Sequence, residues 1–130
     1  MEFIKSFVLS ILVRLGFISK PELVARIVAR HPLQEAIEPG FIYIVGGRHY
    51  QKWAYLRCPA DRSEVIQLCL LAKHRPRWTV TVDRLGRPTI YPSVRQLNGS
   101  FAHFWVKSGR IEWCFDSGTL VNGISLRDID

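Results

Sequence analysis

The sequence predicts an α+β domain, with an N-terminal helical hairpin followed by a mostly antiparallel β-sheet. Three observations predict it. Apolar residues recur at helical spacing through residues 1–31. From Phe41 onward the pattern changes to short β-rich runs. Gly and Pro corners separate those runs, as they separate strands in antiparallel sheets.

The elements follow in order. Phe3, Ile4, Phe7, Val8, Ile11, Leu12 and Leu15 form one helical stripe, and Gly16 can close that helix. Ser19-Lys20-Pro21-Glu22 fits a capping box for a second helix, whose stripe is Leu23, Val24, Ile27 and Val28 and which ends at His31-Pro32. Residues 1–38 are expected to pack on the core as the hairpin, because helix stability usually comes from tertiary burial. Residues 39–130 are expected to form the β-rich part of a single compact unit. Its strands are read at Phe41–Val45, Trp53–Cys58 and Trp78–Asp83, and Val65–Leu71 is read as an apolar, buried run. An extended segment at Thr89–Val94 and a hairpin over His103–Phe115, turning at Ser108-Gly109, complete it.

The chain has 130 residues, 48% of them hydrophobic, which is enough for a real core. Its formal charge of +7 favours acidic partners without defining a site. Three cysteines, Cys58, Cys69 and Cys114, are too few and too odd in number for a disulfide framework, so a reducing cytoplasm is expected. Lys5 and Arg14 interrupt the apolar start, which is too short to span a bilayer and has no small-residue cleavage site. No membrane partner is expected.

The last hairpin carries the polar chemistry. With Ser108 and Gly109 as loop residues, Lys107 faces Arg110, Trp105 faces Glu112 and His103 faces Cys114. Phe104, Val106, Ile111, Trp113 and Phe115 then share the core face, while His103 stands on the other. Glu112 and Asp116 lie diagonal to His103 as candidate orienting carboxylates. Ser93 follows Pro92, which stiffens the chain entering it, and a serine hydroxyl becomes a nucleophile only beside a base. Asn98, Gly99 and Ser100 lie between Ser93 and His103 as candidate oxyanion donors. Trp78, Trp105 and Arg87 are candidates for a substrate groove. A dyad read from spacing alone is matched by the plain reading of Ser93 as a turn residue and His103 as a surface histidine.

Pro76-x-Trp78, Gly86-Arg87-Pro88-Thr89-x-x-Pro92-Ser93, His103-Phe104-Trp105 and Gly109-Arg110-Ile111-Glu112-Trp113-Cys114 together resemble one bacterial family. That family, long described as a domain of unknown function, is encoded in bacterial ubiquitination-like operons. It lies there beside ubiquitin-like proteins and their activating and conjugating enzymes. The resemblance spans roughly Tyr55 to Phe115. It implies a serine peptidase with a Ser–His dyad, falling on Ser93 as nucleophile and His103 as general base. It implies that the enzyme processes the C-terminus of a ubiquitin-like precursor and removes the protein from its targets. The partners implied are the ubiquitin-like protein, its conjugates and the operon's activating and conjugating enzymes. Relatives carry a Cys-rich cluster after the position of Cys58 and another Cys before the histidine; this chain reads Cys58-Pro59-Ala60-Asp61-Arg62 and Asn98-Gly99-Ser100-Phe101-Ala102 there.

No close Cys pair is present, so neither a metal nor another cofactor is expected. The rival reading is a basic β-rich nucleic-acid-binding module. In it Arg48, Lys52, Arg57, Lys73, Arg75, Arg77, Arg84 and Arg87 would surround Trp53, Tyr55 and Trp78. A non-catalytic protein-binding module is a third. Neither has a supporting motif, and nucleic acid ranks behind the peptidase. An extended substrate tail suits an exposed strand edge, where backbone groups are free to pair.

Overall fold

The computed structural model describes residues 2–18, 20–47 and 49–119. Ser19 of the expected capping box, Arg48 of the basic cluster and residues 120–130 lie outside them. Among the described residues, one helix, α1 (Glu2–Arg14), precedes eight strands: β1 (Val24–Val28), β2 (Phe41–Gly46), β3 (Gln51–Arg57), β4 (Val65–Cys69), β5 (Thr79–Val82), β6 (Pro88–Arg95), β7 (His103–Lys107) and β8 (Arg110–Trp113). A short 3-10 turn at Gln34–Ala36 lies between β1 and β2. The strands form two sheets of four, in the orders β1-β2-β3-β4 and β5-β6-β7-β8. All pairings are antiparallel except β1 with β2, which is parallel.

The fold is therefore mostly β, and the expected α+β architecture with a helical hairpin is overturned. The first helix is present, closed by Gly16 at φ +78°. The second is a strand, pairing Val24 with Phe41 through Val28 with Val45. Leu23, Val24, Ile27 and Val28 suit either period, and three of the four are β-branched. Tertiary pairing decides between the periods. Glu22 caps no helix. Its carboxylate accepts the Ile111 N–H, and the N–H groups of Glu22 and Leu23 both donate to the Gly109 carbonyl. The chain entering β1 is thus tied to the β7–β8 turn. On α1, Ile4, Phe7, Val8 and Ile11 are exposed, as is Leu15 just past its end, while Ser6 and Leu9 line a cleft with Val24–Ile27.

The core lies between the two sheets. Ile42, Ile44, Ala54, Leu56 and Leu68 come from the first, and Val80, Ile90, Val94, Phe104 and Val106 from the second. Burial of such side chains stabilises the fold by about 1.5–3 kcal/mol for each large aliphatic one. Among the described residues all three cysteines are free, with Cys58 fully buried.

The last hairpin has the expected register: Lys107 opposite Arg110, and Trp105 opposite Glu112. Ser108 at φ +47° and Gly109 at φ +76° are both left-handed, the combination of a type I′ hairpin turn. The expected core face is only half right. Phe104 and Val106 are buried, but Trp113 is 48% exposed and Phe115 fully so. β8 is an edge strand that ends at Trp113, and the chain then turns through Cys114–Thr119, so strand alternation no longer governs Phe115. Gly109 is fixed by space as well as angle: a Cβ there would lie 2.6 Å from the Leu23 carbonyl oxygen and 2.8 Å from the Pro21 Cβ. Gly109→Ala is expected to lower stability by at least about 1–3 kcal/mol, the usual strain of a non-glycine residue held there. Urea denaturation measures it.

Candidate active site

Ser93 sits at a break in β6. Ile90 pairs with Val106 and Val94 with Phe104, so Tyr91, Pro92 and Ser93 oppose the single residue Trp105. The surplus residues bulge from the ladder, and such bulges re-aim side chains beside reactive sites. The Ser93 carbonyl is fixed from the other side by the Trp78 indole N–H at 3.1 Å. His103 opens β7 directly opposite Arg95, and its backbone N–H donates to Ser117 Oγ at 3.0 Å.

These placements bring three side chains into line. Ser93 Oγ is 3.0 Å from His103 Nε2, and His103 Nδ1 is 2.6 Å from Asp116 Oδ1. Arg95 Nη1 holds the other carboxylate oxygen, Asp116 Oδ2, at 2.7 Å. The turn beyond β8 places Asp116: Ser117 N–H donates to the Cys114 carbonyl, Gly118 N–H to the Phe101 carbonyl, and Thr119 Oγ1 to the Asp116 carbonyl. Hydrogen bonding from His103 holds the Asp116 carboxyl below the usual carboxylate range. Burial opposes this, and Arg95 adds to it. An ionised carboxylate only accepts, so Nδ1 carries the imidazole proton and Nε2 offers its lone pair to Ser93.

A family model, that of the bacterial ubiquitination-like system serine protease (BubE), matches residues 28–114. The chain belongs to this family. No curated protein and no solved structure matches it. The BubE match holds Ser93, Arg95 and His103, whereas Asp116 lies just beyond its end.

Of the other expected residues, Glu112 is not beside His103; it pairs with Lys107 Nζ at 2.9 Å on the exposed side of the hairpin. Ser100 donates both its N–H, at 2.8 Å, and its hydroxyl, at 2.6 Å, to Glu64. Gly99 is needed for the same contact, since a Cβ there would collide with the Glu64 carboxylate. The Asn98 carbonyl accepts the Phe101 N–H. The Asn98–Ser100 loop is thus bound to Glu64, Gln96 and, through Ser100 Oγ, buried Cys58. Arg87 pairs with Asp83 at 2.6 Å and braces the β5–β6 turn. Trp105 lies 6.1 Å from the exposed ring of Tyr91, on the side of the sheet that carries His103. Trp78 packs against the core.

Arg95 was missed by the sequence reading. Strand alternation was the available signal, since Arg95 stands two positions from Ser93 and shares its face. Among the described residues, His103, Cys114 and Asp116 offer ligand atoms within 4.8 Å of one another. Two of these three are already joined to each other. Burial, then the charge of Asp116, pushes the Cys114 thiol up against the pull of Arg95, which keeps it protonated at neutral pH. Part of the basic–aromatic cluster is spent on internal bonds: Arg57 on the carbonyls of Gln34, Ile37 and Ser63, and Arg75 on those of Ala72 and His74. The Tyr55 hydroxyl meets His31 Nδ1. No helix among the described residues is long and apolar enough to cross a membrane.

Because the Asp116 pKa lies below its unfolded value, the group contributes stability above the ordinary carboxylate range. That contribution is lost as pH falls through the folded-state value. Asp116→Asn removes it. The stability difference between wild type and variant, read by denaturation at a series of pH values, is expected to be open at neutral pH and to close below about pH 4.

Proposed function

We propose that the chain is a cytoplasmic peptidase that cuts after the C-terminal tail of a bacterial ubiquitin-like protein, maturing its precursor and releasing it from conjugates. Ser93 is the nucleophile, His103 the general base and acid, and Asp116 the group that orients and charges the imidazole. The observation that carries the reading is the hydrogen-bonded chain from Ser93 Oγ through both nitrogens of His103 to Asp116, at 3.0 and 2.6 Å. The family's description as a serine protease of a ubiquitination-like system supports the substrate class.

The steps follow from that chain. His103 Nε2 takes the Ser93 proton as Oγ attacks the carbonyl carbon at the end of the tail. Asp116 stays ionised and stabilises the imidazolium across the Nδ1–H bond. The tetrahedral intermediate collapses with cleavage of the C–N bond, and Nε2–H protonates the leaving amine. Water, deprotonated by His103, then attacks the acyl–Ser93 ester. The ubiquitin-like protein leaves with a free carboxylate, and Ser93 regains its proton. Arg95 Nη1 positions Asp116 and lies 3.5 Å from His103 Nδ1, the ring nitrogen away from Ser93.

Ser93→Ala and His103→Ala are each expected to lower kcat on the cognate precursor by about 10⁴-fold or more with folding intact. Asp116→Asn is expected to cost about 10³–10⁴-fold, since it can leave the wrong nitrogen protonated. Cleavage followed by mass spectrometry of the released tail measures all three. Full activity in Ser93→Ala would remove the nucleophile from the proposal.

A further inference from the structure

Two strand edges face each other across a cleft beside Ser93. Among the described residues, β4 is the outer strand of its sheet, and β6 has no strand on its β5 side beyond Tyr91. Hydrogen-bond parity tells which backbone groups point into the cleft. Leu70 N–H donates to the Lys52 carbonyl, so Leu68 and Ile66 likewise turn their backbone groups toward β3, and Gln67 and Val65 turn theirs outward. Cys69 fits the pattern: its carbonyl points outward and accepts the Trp78 N–H at 2.8 Å. On β6, Gln96 N–H donates to the Ala102 carbonyl, so Gln96 and Val94 face β7 while Ser93 and Arg95 face the cleft. The cavity between the edges is about 180 Å³, lined among others by Val65, Gln67, Trp78, Val94, Arg95 and Asn98. Trp78 walls it where its indole holds the Ser93 carbonyl. Glu64, bonded to Gln96 and Ser100, stands at the Gln96 end.

We propose that this cleft seats the C-terminal tail of the ubiquitin-like substrate as an added strand, hydrogen-bonded to the outward backbone groups of Val65 and Gln67. The inference rests on the peptidase reading above and assigns that site its substrate-binding edge. Donors and acceptors repeated at every second residue match an extended chain. Unpaired edges of this kind are otherwise a hazard that proteins cover. The walls tie the cleft to the chemistry, since Trp78 fixes the backbone of Ser93 and Arg95 fixes Asp116. A tail lying between them runs beside both supports of the nucleophile.

Gln67→Pro tests this directly. On an edge strand, proline at an outward-facing N–H removes that donor and leaves the ladder to the neighbouring strand intact. The probes are the full-length ubiquitin-like precursor and a synthetic peptide of its C-terminal tail, titrated calorimetrically against the chain in a Ser93→Ala background, so that binding is read without cleavage. Gln67→Pro is expected to weaken both affinities by about 3–10-fold, the value of one backbone hydrogen bond. Gln67→Ala, which keeps the N–H and removes only side-chain contact, is expected to weaken them by less than Gln67→Pro does. A tail peptide N-methylated at alternate residues should lose affinity for the Ser93→Ala chain in the same measure, which keeps the test open if Gln67→Pro fails to fold. Equal binding by Gln67→Pro and by the methylated peptide would overturn the cleft. An inactive wild-type enzyme that still shows the Gln67-dependent binding would instead overturn the peptidase reading and leave the cleft standing.

Discussion

The 2.6 Å hydrogen bond between His103 Nδ1 and Asp116 Oδ1 is the contact on which the site depends. A neutral imidazole has one donor and one acceptor, and only an acceptor-only partner at Nδ1 guarantees a lone pair at Nε2. Asp116 is that partner while it stays ionised, and His103 and Arg95 together hold its carboxyl below the ordinary range. Without Asp116 the same 3.0 Å contact between Ser93 and His103 would have no preferred direction for its proton.

The rest of the fold serves to hold that contact in a half-buried place. Two neighbouring strands deliver Ser93 and His103, and a turn just past the edge strand delivers Asp116. Each is locked by backbone as well as side chain: Ser93 through the Trp78 indole, His103 through Ser117, Asp116 through Thr119 and Arg95. The bulge at Tyr91–Ser93 is a departure from regular pairing that frees Ser93 from the strand ladder. Strands and tight turns thus hold the three side chains in one fixed arrangement, the kind of pre-organisation that the proposed serine chemistry would draw on.

Much of this was legible in the sequence, and the exceptions have physical causes. Ser108-Gly109 set the register of the last hairpin, because a type I′ turn of two left-handed residues matches the twist of the flanking strands. The residues that carry the family resemblance directed attention to Ser93 and His103. The strand at Val24–Val28 was not legible, because its apolar positions suit two periods and its partner, β2, lies beyond an intervening loop. The choice between Glu112 and Asp116 depended on where β8 ends. Had the strand continued, Asp116 would have stood in the ladder; because it turns at Cys114, Asp116 swings under His103. The Asn98–Ser100 loop looked like an oxyanion site because it is glycine-bearing and polar, yet Glu64, remote in sequence, takes it up.

Reaction of the chain with diisopropyl fluorophosphate, with the adduct located by intact-mass and peptide mass spectrometry, tests the reactivity of Ser93 most directly. An activated serine is expected to take one equivalent, on Ser93, at a rate that collapses when His103 is replaced by alanine. Labelling on another residue, or labelling of Ser93 at the same slow rate with and without His103, would contradict it.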